Sequence, residues 1–139
     1  MICTKLNHGH KVKKFSKSTP KNPAINIKNK SYSYFELDRM ASYISNVLVD
    51  IKCQNLFVSI LADKQIETYA SILGILYSGK AYMPISTKIP LLRVLTMLEI
   101  SSSEIMIVSN ESISIFEKLI PHIKKKMTFI FFEKKNLEF

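Results

Sequence analysis

The sequence predicts an α/β fold with a mainly parallel sheet and helices on both faces. Short apolar runs alternate along the chain with amphipathic segments of ten or more residues. The run FVSIL at residues 57–61 is apolar except for Ser59, which suits a strand that is buried on both sides. Alternation of strands with helices of this length favours βαβ units and therefore parallel pairing.

The first predicted elements are two short strands, over 24–27 and 30–33, and a helix over 34–51. Ser33 and Glu36 have the spacing of a capping box, in which each residue satisfies a backbone amide at the start of a helix. The apolar residues of this helix recur at steps of three and four and define one buried face: Leu37, Met40, Ala41, Ile44, Val47, Leu48 and Ile51. The pattern indicates a structural role for Ser33 and Glu36 and no chemistry.

A strand over 56–61, a helix over 64–78 and a strand over 81–85 come next. Asp63 is predicted to cap the helix, and Gly79 to occupy the left-handed position just after it. Pro84 marks the end of the following strand, because proline has no amide to donate to a ladder. Neither this region nor the region around Ser33 and Glu36 contains a nucleophile beside an activating base.

The second half of the chain continues the alternation. It is predicted to contain a helix from Pro90 to about Ser101, a strand over 104–108, a helix from Asn110 to Ile123 and a strand over 127–132. Pro121 should kink or end the third of these elements. The apolar run before the tail lies between lysine clusters, and we interpret it as a last strand guarded by charge rather than a segment with no evolved fold.

The length of 139 residues is that of one domain, and the net charge is +9. Most lysines are scattered, apart from two groups: Lys11, Lys13, Lys14, Lys17 and Lys21 near the start, and Lys124 to Lys126 near the end. No predicted helix carries a continuous basic face, so a solvated lysine surface is favoured over nucleic-acid binding. The latter would require binding with a steep salt dependence.

The composition also argues against membrane and metal functions. No apolar run reaches the ~18 residues that span a bilayer, and the first residues lack the apolar core of a signal peptide, so we expect a cytoplasmic location. Cys3 and Cys53 are too few for a disulfide framework. His8 and His10 lack further ligands nearby in sequence, so no metal site is predicted.

Two motifs resemble those of a known enzyme family. Ser33, Tyr34, Glu36 and Leu37 resemble its first core motif, (T/S)YxEL, with Tyr32 where the family usually has leucine. The second core motif, LKAGxAYxPxD, is matched at Leu76, Gly79, Ala81, Tyr82 and Pro84. Here Tyr77 and Ser78 replace lysine and alanine, and Ser86 replaces aspartate. Pro90 and Arg93 follow the spacing that the family shows after this motif.

From about Phe15 to Val108, the chain thus resembles the first part of the large N-terminal domain of adenylate-forming enzymes. The closest resemblance is to amino-acid adenylation domains of nonribosomal peptide synthetases and to D-alanine carrier-protein ligases. The resemblance implies a truncated form of that domain at 15–132, a flexible basic N-terminus at 1–14 and a tail at 133–139. It assigns structural roles to the motif residues and carries over no catalytic, cofactor-binding or metal-binding residue.

The complete family enzymes use ATP and Mg²⁺ to convert a carboxylate into an acyl-adenylate, and then pass the acyl group to a carrier thiol. Triphosphate binding requires clustered backbone amides and a cation, but Gly9, Gly74 and Gly79 are isolated from one another. The segment SSSE at 101–104 is interpreted as an ordinary turn. No cofactor is therefore expected for this chain alone.

The resemblance leads to the hypothesis of an N-terminal fragment, from a truncated or split gene, of an amino-acid-activating ligase that is inactive alone. The alternative is a non-catalytic α/β interaction module. Its partner would be the remaining part of the enzyme or a carrier protein. A neighbouring reading frame that encodes the glycine-rich loop would distinguish a split enzyme from a repurposed module.

Overall fold

The computed structural model describes residues 8–132. The elements are α1 Gly9–Ser18, β1 Pro23–Ile27, β2 Lys30–Ser33, α2 Tyr34–Asp50, β3 Phe57–Leu61, α3 Ile66–Tyr77, β4 Ala81–Ile85, α4 Leu91–Ser101, β5 Ile105–Val108, α5 Ile113–Leu119 and β6 Thr128–Phe131. All six predicted strands are present within two residues of their expected ends, and so are the first three predicted helices. Of the described helices, none is long and apolar enough to cross a membrane.

Four strands form a parallel sheet in the order β4-β3-β5-β6. Side chains of β5 alternate between two cores, with Ile105 and Ile107 on one face and Met106 and Val108 on the other. The first core also holds the buried side chains of α2 and α3, and the second holds those of α4 and α5. The predicted parallel sheet with helices on both faces is therefore confirmed.

β1 and β2 form a separate antiparallel pair. The turn between them places Lys28 and Asn29 at φ 48° and 65°, the left-handed backbone that two-residue hairpins use to match strand twist. Ile25 and Ile27 pack against the first core, so the hairpin closes the end of that core beside α2.

The N-terminal region differs from the sequence prediction. Residues 9–14, assigned to a flexible terminus, belong to α1, and residues 1–7 lie outside the described part of the chain. Burial of Ser16 and packing of Val12 on the first core hold this helix, which short-range periodicity did not reveal. Its lysines Lys11, Lys14 and Lys17 are exposed at three-residue steps, so α1 does carry a basic face.

The segment after β5 is also more broken than predicted. Asn110 starts a 3₁₀ turn over 110–112, α5 begins only at Ile113, and the helix ends at Leu119. A second 3₁₀ turn contains Pro121, which confirms that this proline ends the helix. The predicted single helix from Asn110 to Ile123 is wrong because Ser109 and Ser112 pair their hydroxyls at 2.7 Å and tighten the first turn.

Candidate functional site

The strand order places a topological switch point at the carboxyl ends of β3 and β5, where a crevice is expected. From β3 the chain runs through α3 to β4, whereas from β5 it runs through α5 to β6 on the opposite side. α3 and α5 cover opposite faces of the sheet. In open α/β sheets such a change of direction leaves a gap between loops, where ligands usually bind. The loops at 62–65 and 109–112 therefore define the candidate site.

Asp63 is the central acid of this crevice. Its carboxylate accepts hydrogen bonds from the Ser86 hydroxyl at 2.8 Å, from the Thr87 amide at 3.2 Å and from the Thr87 hydroxyl. The bonds from Thr87, with help from Ser86, hold the pKa of Asp63 below its usual range. The carboxylate is therefore ionised and occupied, which makes it an anchor for the loop after β4 rather than a proton acceptor.

The predicted capping role of Asp63 is wrong. The N-cap of α3 is Gln65, without a side-chain cap, and the Asp63 carbonyl instead accepts from the Thr68 hydroxyl at 2.5 Å. Sequence spacing placed an acid near the start of the helix correctly. It did not reveal that the side chain turns to the loop after β4, because that loop lies over twenty residues further along the chain.

A second polar group lies between the same loops. Lys28 of the hairpin forms an ion pair with the exposed carboxylate of Glu111 at 3.1 Å. Hydrogen bonds from Lys28 and from the Gln65 side chain hold the pKa of Glu111 below its usual range. Gln65 is 7% exposed, and its Oε1 has no hydrogen-bond partner among the described residues. This group joins the hairpin, the loop after β3 and the loop after β5.

Sequence reasoning missed Gln65, Glu111 and Lys28 as neighbours. A usable signal existed, since Gln65 and Glu111 each follow closely on an apolar strand, and the carboxyl ends of parallel strands share one edge. No comparable signal exists for Lys28, because the hairpin that carries it belongs to a separate sheet.

The described residues offer little for covalent or metal chemistry. They contain no group of three or more His, Cys, Asp or Glu side chains that could hold a metal ion. At the other end of these strands, just before the first residues of β3 and β5, the Cys53 thiol donates to the Glu104 carboxylate at 3.1 Å. Burial, together with this bond, raises the pKa of Cys53, so the thiol stays protonated and is a poor nucleophile.

The first family motif forms the start of α2. The Ser33 hydroxyl accepts from the Glu36 amide at 3.2 Å, and the Glu36 carboxylate accepts from the Ser33 amide at 2.8 Å. Both bonds of the predicted capping box are therefore present. The ring centroids of Tyr34 and of Phe15 in α1 are 5.2 Å apart. Leu37 is buried in the first core.

The second motif forms the end of α3 and the start of β4. Gly79 has φ 78°. Its amide donates to the Leu76 carbonyl at 3.1 Å, and the Lys80 amide donates to the Ile75 carbonyl at 3.1 Å. This is a Schellman motif, which a glycine favours because it needs a left-handed residue. Its remaining members, Ala81, Tyr82 and Pro84, are residues of β4.

The fold brings the two motifs together, but Pro90 and Arg93, which follow the second motif in the family's spacing, lie apart from them. The Tyr77 hydroxyl at the end of α3 donates to the Asp38 carboxylate in the first turns of α2 at 2.7 Å. Pro90 and Arg93 instead lie at the start of α4, beside the other core, where the Pro90 carbonyl accepts from the Arg93 amide at 2.9 Å. The structural roles assigned to the motif residues stay predictions.

Comparison with known proteins identifies the family. The family model described as AMP-binding enzyme matches residues 12–136. Malpibaldin synthetase from Mortierella alpina is 38% identical over 98 residues, which are 67% of this chain and 2% of that protein. Tyrocidine synthase 1 from Brevibacillus parabrevis is 33% identical over 89 residues, or 63% of this chain and 8% of that protein. The chain therefore spans a small part of the relatives it matches.

Solved structures share the fold. A nonribosomal peptide synthetase with bound alpha-methyl-L-serine-AMP superimposes with a TM-score of 0.78 at 26% identity, covering 88% of this chain and 14% of that one. The Vibrio cholerae adenylation domain in complex with glycyl-adenosine-5'-phosphate gives a TM-score of 0.78 at 19% identity, covering 91% and 24%. The latter likeness concerns the fold alone. Together, the family match and these superpositions mean that the chain belongs to the AMP-binding enzyme family and corresponds to the N-terminal part of an adenylate-forming enzyme.

Proposed function

We propose that the chain is the N-terminal part of an ATP-dependent, amino-acid-activating, AMP-forming ligase, and that the 139 residues do not catalyse activation alone. Support for an amino-acid substrate comes from the comparisons, because relatives from Leptosphaeria maculans and Beauveria bassiana are named nonribosomal peptide synthetases and a similar solved structure holds alpha-methyl-L-serine-AMP. D-alanine as the substrate, and a cytoplasmic location, stay predictions. In the complete enzyme ATP and Mg²⁺ would be the cofactors and a carrier protein the acceptor.

The observation that carries the proposed inactivity is the state of the crevice beside β3 and β5. A triphosphate needs free cations and clustered backbone amides. The crevice instead presents two ionised carboxylates, Asp63 and Glu111, and its lysine Lys28 is already paired with the second. The described residues therefore do not fit ATP at this crevice, and we derive no catalytic step from them.

The glycines point the same way. Gly74 is buried between α2 and α3, where a side chain would meet Ala41 and Ile44, and Gly79 ends α3. Gly9 lies at the start of α1. Each glycine therefore serves helix packing or a helix end, and none belongs to a loop that could surround a phosphate.

The test is exchange of labelled pyrophosphate into ATP by the purified chain with a mixture of amino acids, beside a complete adenylation domain as positive control. The assay is repeated after addition of the product of any downstream reading frame. We expect no exchange by the chain alone and restored exchange with the complementing product. Exchange by the chain alone would overturn the proposal, because an ATP site would then have to exist within these residues.

A binding role without catalysis is the second candidate. It is favoured by β6, an apolar strand at the edge of the described sheet whose Phe131 side chain remains 46% exposed. Absence of exchange in both arms of the assay would favour this candidate.

A further inference from the structure

The outer edge of β6 is equipped to pair with another strand. The Thr128 amide donates to the Glu104 carbonyl at 2.8 Å, so the backbone of Thr128 faces β5. Amide and carbonyl groups of successive strand residues point to opposite sides, so those of Phe129 and Phe131 point away from β5. Within residues 8–132, β6 pairs with β5 alone. Two complete donor and acceptor sets therefore face outward.

The opposite edge of the sheet is protected. The Ala81 amide donates to the Leu56 carbonyl at 2.9 Å, so Ala81 faces β3, and Tyr82 and Pro84 face outward. Pro84 has no amide hydrogen, so an incoming strand would lose a hydrogen bond at the middle of this edge. Natural sheets often use proline in this way to block edge pairing. The two edges are thus unequal, and only the β6 edge has a full set of donors.

The side chains of β6 indicate an apolar neighbour. Phe129 packs in the second core and Ile130 in contact with the first, so both faces of the strand are apolar. Phe131 touches Phe116 edge-on, with 5.2 Å between ring centroids, yet 46% of it is exposed. A strand added beside β6 would cover this ring on the side away from β5.

The charges next to β6 decide which kind of strand fits. Three consecutive lysines, Lys124 to Lys126, precede the strand, and only Lys125 has a described hydrogen bond, to the Leu98 carbonyl at 2.7 Å. Self-pairing of two β6 strands side by side in parallel would bring Lys124 and Lys126 next to the same lysines of the second copy, a set of like charges. An acidic residue beside Lys124 and Lys126 would be attracted instead.

We propose that the outer edge of β6 binds, by strand addition, an extended apolar segment that carries acidic residues next to Lys124 and Lys126. This inference rests on the proposed function in one respect, since the segment would belong to the polypeptide that completes the domain. Main-chain hydrogen bonds to Phe129 and Phe131 give the affinity, and the acid–lysine pairs fix the direction of the added strand.

The binding test uses the full chain, ¹⁵N-labelled, and synthetic peptides of alternating valine and threonine. One peptide has a pair of glutamates at its amino end and a second has them at its carboxyl end. A third has lysines in their place. Binding of an acidic peptide should shift the amide resonances of Phe129 and Phe131, and which acidic peptide binds reports whether the strand is added parallel or antiparallel.

A matched pair of variants isolates the backbone edge. Phe131→Pro removes an amide that makes no bond to β5, so the β5–β6 ladder stays intact, and Phe131→Ala removes the same ring but keeps the amide. We expect Phe131→Pro to bind the acidic peptide about tenfold more weakly than Phe131→Ala, a difference of about 1.4 kcal/mol. Their spectra without peptide show whether each variant is folded.

A charge variant tests the choice of partner. Lys124→Glu with Lys126→Glu should remove the preference for glutamate over lysine peptides. The proposal is overturned if neither acidic peptide shifts Phe129 and Phe131, or if the proline and alanine variants bind alike. It is also overturned if the chain alone forms a dimer that Phe131→Pro dissociates. None of these readouts involves ATP, so failure here and failure of the exchange assay are separate results.

Discussion

Gly74 of α3 lies against Ile44 of α2 so closely that a Cβ on the glycine would be 2.7 Å from the Ile44 Cβ. The Ala41 carbonyl oxygen would be equally close. Two helices can approach this closely only where one of them has a residue without a side chain at the point of contact. The contact therefore sets the distance between α2 and α3, which together cover one face of the sheet.

We predict that Gly74→Ala lowers the free energy of unfolding by roughly 1 to 3 kcal/mol, because the helices must separate to admit the methyl group. Alanine would otherwise stabilise a helix interior by about 1 kcal/mol over glycine, so the sign is diagnostic. Urea denaturation followed by circular dichroism measures the change. Asn46→Ala, at an exposed position of α2, is the control, and a more stable Gly74→Ala protein would contradict the packing.

A second prediction concerns the bond between Tyr77 and Asp38. Burial raises the pKa of Tyr77, with a further rise from its bond to Asp38, so the phenol remains a donor. Tyr77→Phe should lower the free energy of unfolding by roughly 1 to 3 kcal/mol, because the half-buried carboxylate loses its partner. A double-mutant cycle with Asp38→Asn measures the coupling. Additive losses would show that the bond contributes nothing to stability.

The capping box gives a third prediction. Ser33→Ala should lower the free energy of unfolding by about 1 kcal/mol, because the Glu36 amide loses its acceptor. Ser33→Thr, which retains a hydroxyl, should lose less, and thermal melting of the two variants provides the comparison. In a complemented enzyme, Ser33→Ala should leave the rate of pyrophosphate exchange unchanged at a temperature where the protein is folded. A loss of exchange by the folded variant would instead assign Ser33 a role in chemistry.

A fourth prediction follows from the lowered pKa of Asp63. A carboxyl whose pKa is lower in the folded than in the unfolded protein adds stability above its unfolded pKa of about 3.9. That contribution is lost as the pH falls through the lower, folded value. Asp63→Asn should therefore weaken the decline in stability below about pH 4. Asp50→Asn, at the exposed end of α2, controls for the loss of one negative charge. Equal acid sensitivity in the wild type and Asp63→Asn would refute the anchoring role.

The sequence predicted those elements whose own residues carry the pattern. α2 and β3 are recognisable because burial enforces a period of three to four residues in the helix and continuous apolarity in the strand. α5 is less recognisable from the sequence, because Pro121 and the Ser109–Ser112 contact divide a helical pattern into short pieces. α1 has few apolar residues and depends on α2 for its packing, so its helical period is carried by the lysines Lys11, Lys14 and Lys17 rather than by an apolar face.

The site was less predictable than the fold, for a physical reason. Hydrogen bonds such as that from Ser86 to Asp63, or the ion pair between Lys28 and Glu111, join loops whose sequence separation carries no periodic signal. The order of the strands determines which loops meet, and the pattern of apolar residues does not encode that order. Resemblance to a family supplied motif positions, but most of these lie at helix ends or in β4, and only the last position of the second motif, Ser86, contacts the crevice through Asp63.

The central position of β3 has a consequence for synthesis on the ribosome. β3 is flanked by β4 and β5, and the pairing of Val58 with Ile105 must wait until all of α3, β4 and α4 have been translated. A nascent chain that has reached only Ile85 has one side of β3 uncovered, although four of the five β3 residues are buried in the folded protein. Parallel pairings between distant segments form slowly, and transiently exposed apolar strands attract chaperones or aggregate. Translation pauses before residue 108 should therefore reduce the yield of folded protein more than pauses after it.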